Sequence, residues 1–266
     1  MNKISILAFI LGNLPRLLGK ILFELLYPVY LLRFKKERGY ISERLRKANL
    51  QIKPKEVYKN LFLNGLDSLK FLQSKKIPVK FENFDLAQDE IGKNAVVFAS
   101  IHLGAFEMLH RGLANLAESG EWRVESYVNL IVSGFRNKKL DGFLNSVRKV
   151  RSIKIVKDFE VSRILKNAIR NKEILAVMAD QSKYGGQNFE ILGQSIPLFL
   201  KLPLMANRLG ASIVLFRTFG KNGGHVIRVE RVYGPYSRIK PAEIAKIFES
   251  WILEYPEQWA WNYRFI

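Results

Sequence analysis

The sequence predicts a mixed, mostly parallel α/β sheet covered by helices, preceded by an N-terminal helical membrane anchor, and three observations lead there. From residue 95 onward, short apolar runs alternate with stretches of helical periodicity, the pattern of strands joined through covering helices. Several of the apolar runs stop at a polar or charged residue, and open parallel sheets bind ligands at the C-terminal ends of their strands. The first 36 residues, finally, are strongly apolar but interrupted by charge and proline.

Strands are expected near 95–101, 124–132, 153–156, 174–179, 212–219 and 225–233, and helices near 104–118, 137–150, 159–171, 198–209 and 241–254. Residues 42–50 and 54–75, with Val57, Leu61, Leu66, Leu69 and Leu72 on neighbouring turns, form a helical lead-in. A chain of 266 residues that is 48% hydrophobic and 12% aromatic can bury one substantial core. The division expected is therefore residues 1–40 as membrane-associated helices and 41–266 as a single catalytic domain. No internal repeat or low-complexity linker occurs.

The apolar run Ile4–Leu11 is too short to span a bilayer, and Pro15, Arg16, Lys20 and Glu24 interrupt the apolar residues beyond it. An interfacial helical anchor fits this pattern, as does a buried helix pair. A signal peptide does not fit, because no small-x-small cleavage site comes after the run. The basic cluster Arg33, Lys35, Lys36 and Arg38 directly after the apolar stretch puts that end on the cytoplasmic side.

Lys and Arg total 43 against 24 Asp and Glu, a net charge of +19 spread along the chain. Such a field recruits polyanions: nucleic acid, an anionic leaflet, or acidic substrates and carriers. The absence of cysteine removes disulfides, thiolate catalysis and cysteine zinc sites. The three histidines, His102, His110 and His225, are not spaced to share a metal with clustered carboxylates, so no metal and no cofactor is expected. There is no G-x-S-x-G elbow, no G-x-x-x-x-G-K-[ST] loop and no G-x-G-x-x-G fingerprint, which disfavours serine hydrolases, P-loop enzymes and dinucleotide enzymes.

His102 ends the apolar run 95–101 and Glu107 comes five residues later, where a helical pattern begins. A chain that turns there can bring the two together as a general base and its orienter, with helix N-terminal amides beside them for a developing oxyanion. They also fit a turn histidine and a first-turn carboxylate favoured by the helix dipole. His225 and Glu230 share the same spacing, but inside an alternating strand pattern an odd offset sends the two side chains to opposite faces. Asp180, at the end of the run 174–179, is either a site carboxylate or the first residue of a turn. The basic stretch Ser133–Lys139 suits a phosphate or is an ordinary solvated face.

Four internal stretches and the ending resemble one family. His102-Leu-Gly-Ala-Phe-Glu107 resembles H-F-G-N-W-E, and Arg136-Asn137 through Leu140-Asp141, followed by Arg148, resembles K-N-x-x-[LF]-D and its arginine. Ala179-Asp180-Gln181 resembles A-D-Q, and Gly193 through Ala206-Asn207-Arg208-Leu209-Gly210-Ala211 resembles a segment ending A-x-R-x-G-A. The ending Pro256-Glu257-Gln258-Trp259-Ala260-Trp261-Asn262-Tyr263-Arg264-Phe265 resembles P-E-Q-W-x-W-x-H-R-R. Together they are similar to the lysophospholipid acyltransferase superfamily, and within it to the late (lauroyl/myristoyl) acyltransferases of lipid A biosynthesis, whose hallmark is H-x-x-x-x-[D/E].

That resemblance implies an O-acyltransferase moving a fatty acyl chain from an acyl thioester to a hydroxyl of a phosphorylated membrane lipid, a lipid A precursor first among them. His102 would be the general base, Glu107 would hold and charge-stabilise the imidazole, and Asp180 would assist it or bind the acceptor. Gly104 and Arg148 would meet the oxyanion, and Arg136, Asn137, Arg148, Gln181, Arg208 and Arg264 would bind substrate. The implied partners are acyl carrier protein or acyl coenzyme A as donor, an anionic lipid acceptor, and the cytoplasmic face of the inner membrane, with no nucleic acid. Leu103, Ala105, Phe106, Leu198 and Tyr263 depart from the family pattern, and they bear on acceptor specificity. The alternatives are an acyltransferase for a lysophospholipid or phosphoinositol mannoside, a thioesterase, and a non-enzymatic basic protein binding membrane or nucleic acid.

Overall fold

The computed structural model describes residues 3–73, 77–118, 128–132, 138–148, 153–157, 160–180 and 186–262. Its centre is a seven-stranded sheet in the order β1-β9-β8-β2-β5-β3-β4, made of β1 (Val79–Glu82), β2 (Val96–Ser100), β3 (Val128–Val132), β4 (Ile153–Lys157), β5 (Ile174–Met178), β8 (Ser212–Lys221) and β9 (Gly224–Tyr233). Every pairing is parallel except β8 with β9, so the sheet is mixed and mostly parallel.

Strand β2 is the middle member and is buried along its whole length. Its sequence is apolar up to Ser100 because both faces of a parallel sheet are covered. Ala95, Val97, Ala99 and Ile101 enter one core layer, while Val96 and Phe98 enter the other. The first layer collects α8 (Val161–Arg170), α9 (Lys201–Arg208), α10 (Pro241–Glu254) and the two C-terminal tryptophans; the second collects α6 (Met108–Glu118) and the aromatic pair Phe98 and Phe216.

Among the strands, three escaped the periodicity. The four-residue edge strand β1 is half-buried and carries little pattern. The hairpin of β6 (Gln187–Ile191) and β7 (Gln194–Leu198) is a separate two-stranded antiparallel sheet. It turns at Leu192 and Gly193, both with positive φ. The helix expected from 198 therefore starts only at Lys201, because Leu198 ends β7.

The N-terminal region is helical: α1 (Lys3–Gly12), α2 (Arg16–Arg33) and α3 (Lys35–Lys47), followed by α4 (Pro54–Leu72). Helices α1 and α2 pack on α4, and α1 also touches α7 (Lys138–Arg148). Among the described residues no helix is long and apolar enough to cross a membrane. The outer faces nevertheless leave Leu7 and Phe9 of α1 and Leu17, Leu25, Val29 and Leu32 of α2 exposed, Leu32 at 86%. The start of α2 is pinned inward, since Arg16 donates to the Gly223 carbonyl at 2.8 Å and lies 3.6 Å from Asp67. Asp67, almost fully buried, also accepts from His225 Nε2 at 3.1 Å and Lys70 at 3.3 Å.

Candidate active site

The parallel register of β2 and β5 builds the site. Ser100 stands opposite Met178, so the chain leaves both strands at the same level, and His102 and Asp180 come at equal distances beyond them. The Ala179 amide closes the pair by donating to the Ser100 carbonyl at 2.7 Å. His102 Nδ1 meets Asp180 Oδ1 at 2.6 Å, and the His102 amide donates to Asp180 Oδ2 at 3.0 Å. An ionised carboxylate only accepts, so the proton belongs on Nδ1 and the basic lone pair on Nε2. The imidazole also sets its ring edge-on to Phe106, centroids 4.5 Å apart.

Asp180 is 1% exposed and receives a third donor, the Trp259 indole Nε1–H at 2.9 Å. Burial opposes its ionisation, but the facing His102 and the donors from His102 and Trp259 outweigh that and hold the carboxyl below the usual carboxylate range. A charged acceptor with three donors is a fixed element.

Glu107 does something other than expected. It is gripped by Arg148, whose Nε donates at 3.0 Å and whose Nη2 makes a second bond, and it lies 3.9 Å from His110 Nδ1. The orienter of His102 is therefore Asp180, a correction with a simple cause. Helix α6 begins at Met108, so residues 104–107 form an irregular turn that directs Glu107 toward Arg148 on α7. Burial raises the Glu107 carboxyl while Arg148, then His110 and His102, pull it down, and the net direction is down.

Gly104 is corrected as an oxyanion donor, since its amide donates to the Gln258 carbonyl at 3.0 Å. Its own requirement is steric: φ is +58°, and a Cβ there would sit 2.4 Å from the Thr218 carbonyl oxygen. Arg208 is not brought to His102. It is exposed at the C-terminus of α9, beside the start of β8, and β8 pairs Ser212 with Val96 at the opposite end of the sheet. Arg136, Asn137, Gln181 and Arg264 lie outside the described residues. No group of three or more potential metal ligands occurs among the described residues.

The C-terminal segment is part of the site. Leu103 and Trp259 form an antiparallel bridge, and the Ala260 amide donates to the His102 carbonyl at 3.0 Å. Behind Trp259, Arg44 lies over the indole at 5.0 Å, next to a surface cavity of about 330 Å³ lined by Tyr40, Lys47 and Gly193–Ile196. His102 is not among the residues lining that cavity. Residue spacing could not reveal Trp259, which lies 79 positions from its carboxylate partner. Its place in the P-E-Q-W-x-W ending was the only signal.

The chain matches no protein-family model and no curated protein sequence. Among solved structures it is similar to the crystal structure of the 1-acyl-sn-glycerophosphate (LPA) acyltransferase PlsC from Thermotoga maritima. The two share 15% identity and a TM-score of 0.38, over 90% of this chain and 94% of that one. Identity at that level transfers no residue's role.

As chemistry, the arrangement is a carboxylate-oriented imidazole at the mouth of two central parallel strands. That is the equipment of a general base.

Proposed function

We propose that this chain is an O-acyltransferase that moves a fatty acyl group from a thioester, on acyl carrier protein or coenzyme A, to a hydroxyl of a phosphorylated membrane lipid. The observation that carries the reading is the 2.6 Å contact of His102 Nδ1 with Asp180 Oδ1, in the His102–Glu107 segment whose pattern resembles the acyltransferase hallmark. His102 Nε2 takes the acceptor hydroxyl proton as the oxygen attacks the thioester carbonyl carbon. The tetrahedral oxyanion then collapses, the C–S bond breaks, and the leaving sulfur takes the proton from the imidazolium. A thioester is already activated, so no acyl-enzyme is required. Base assistance of this kind contributes about 10²–10⁴-fold in rate. For the oxyanion, the amides of Ala105 and Phe106 are the better donors, because they reach no acceptor among the described residues and Gly104 is already committed.

The acceptor we favour is a lipid A precursor, and the place of work is the cytoplasmic face of the inner membrane, with the protein bound peripherally. The support is physical: an exposed apolar face on α1 and α2, the exposed cations Arg33, Lys35 and Lys36 just beyond it, and a net charge of +19. Donor, acceptor and leaflet are all anionic, so one field attracts all three.

The test incubates purified wild type and His102→Ala with labelled acyl carrier protein or acyl coenzyme A and a panel of lipid A precursors, lysophospholipids and phosphoinositol mannosides. Labelled lipid from the wild type alone is expected. Equal product from the variant overturns the reading, and free fatty acid in place of acylated lipid makes the protein a thioesterase.

A further inference from the structure

We propose that Trp259 is a positioning residue for the His102–Asp180 pair, held in place by Arg44 and by the strap of residues 258–260. The kinetic half of this inference rests on the acyltransferase reading; the spectroscopic half rests on geometry alone.

A buried carboxylate with one bonded oxygen can rotate about its last torsion. Asp180 cannot, because its two oxygens are claimed in different directions. Oδ1 faces His102 Nδ1, while Oδ2 accepts from the His102 amide at 3.0 Å and the Trp259 indole at 2.9 Å. The indole fixes the plane of the carboxylate and so the line along which Oδ1 meets the imidazole. A residue needed only for volume would be any large apolar side chain, since Trp259 is 1% exposed in a densely packed layer.

Trp259 is itself constrained from three sides. Its backbone pairs with Leu103, and flanking it the Ala260 amide and the Gln258 carbonyl bond His102 and Gly104, so indole and imidazole ride on one short antiparallel bridge. Trp261 abuts it edge-on, centroids 4.6 Å apart, an aromatic contact that phenylalanine at 261 retains. Over the ring lies Arg44, anchored by Nε to Gln194 Oε1 at 3.2 Å and by Nη1 to the Trp261 carbonyl at 3.1 Å. A cation over the π face draws electron density from the indole and makes its N–H a stronger donor. The titratable surroundings of the pair are thus Arg44 on α3, Glu107 in the turn before α6, His110 on α6 and Arg148 on α7.

Trp261 provides an internal control. It is equally buried, its Nε1 donates to a backbone carbonyl, that of Pro256, at 2.6 Å, and it does not touch Asp180 among the contacts described. Trp259→Phe and Trp261→Phe therefore remove the same indole group from the same layer, but only the first removes a donor to Asp180. For Trp259→Phe, kcat should fall about 10- to 100-fold, the range for losing an outer partner of a site group, with both KM values unchanged. The downfield proton resonance of the His102–Asp180 hydrogen bond should shift or vanish. Trp261→Phe should do neither, and the His225–Asp67 proton serves as an unmoved reference in both. Wild-type kcat in Trp259→Phe, or the same loss in Trp261→Phe, overturns the proposal. If the wild type transfers no acyl group, the functional reading falls, and the resonance still decides the positioning: unmoved, it overturns the proposal. If Trp259→Phe does not fold, Asp180→Asn must displace the Trp259 indole N–H resonance and leave that of Trp261 in place; an unmoved indole overturns it.

Discussion

Asp180 holds His102 at two points, one oxygen against the ring nitrogen Nδ1 and the other accepting from the same residue's backbone amide. Ring and main chain are therefore oriented by one carboxylate, and the in-register ends of β2 and β5 set the spacing.

Replacing that carboxylate should be far more damaging to turnover than to binding. In Asp180→Asn the amide can present an N–H to Nδ1, favouring the tautomer with the proton on Nε2, which cannot act as base. We expect kcat to fall about 10²–10⁴-fold with KM little changed. Steady-state kinetics with both substrates varied checks this.

Glu107 and Arg148 form a tightly shielded ion pair, and removing one partner strands the other. Glu107→Gln should cost about 1–3 kcal/mol of stability, and Glu107→Gln combined with Arg148→Met should recover part of it. Thermal melts of the two single variants and the double variant give the coupling directly.

His110 is buried, and burial pushes its imidazole down to about 4 from its ordinary 6.5, with Glu107 pulling the other way. Its Nε2 has no partner among the described residues, which agrees with a neutral ring. The unfolded chain binds this proton as pH falls below about 6.5, and the folded chain does not until about 4. Stability is therefore complete above that window and declines through it by about 3 kcal/mol. Denaturant midpoints from pH 7 to 4 should fall less in His110→Gln than in the wild type.

Adding a methyl group at Gly104 should collapse the turn. Its left-handed φ and the 2.4 Å approach to the Thr218 carbonyl leave no room, so Gly104→Ala should lower stability by about 1–3 kcal/mol and impair turnover. Melting temperature and kcat measured together check both.

If the exposed face of α1 and α2 meets a leaflet, Leu25→Lys and Leu32→Lys should each weaken binding to anionic vesicles about tenfold. Vesicle co-sedimentation checks it, with Leu209→Lys, an exposed leucine outside α1 and α2 just after α9, as the control.

Much of this architecture was legible in the chain. The continuous apolar run 95–101 and its polar terminus located the central strand and His102, because a doubly covered strand has no polar face. The separation of His225 from Glu230 also came from strand parity: His225 faces Asp67 and Glu230 faces Arg217. Sequence neighbours misled at Glu107, since a spacing of five is compatible with many turn geometries, and the pairing of Asp180 with His102 depends on a strand register that periodicity does not encode. The β6–β7 hairpin was missed because its exposed positions show no clean alternation.

The strap across the turn also sets an order of events. The loop carrying His102 is completed by main-chain bonds from Gln258 and Ala260, which leave the ribosome long after the central strands have emerged. Nascent chains can assemble most of the sheet while the turn carrying the imidazole still lacks these two bonds. A product cut short before residue 258 would keep His102 and Asp180 but lack the main-chain bonds to the turn and the Trp259 donor.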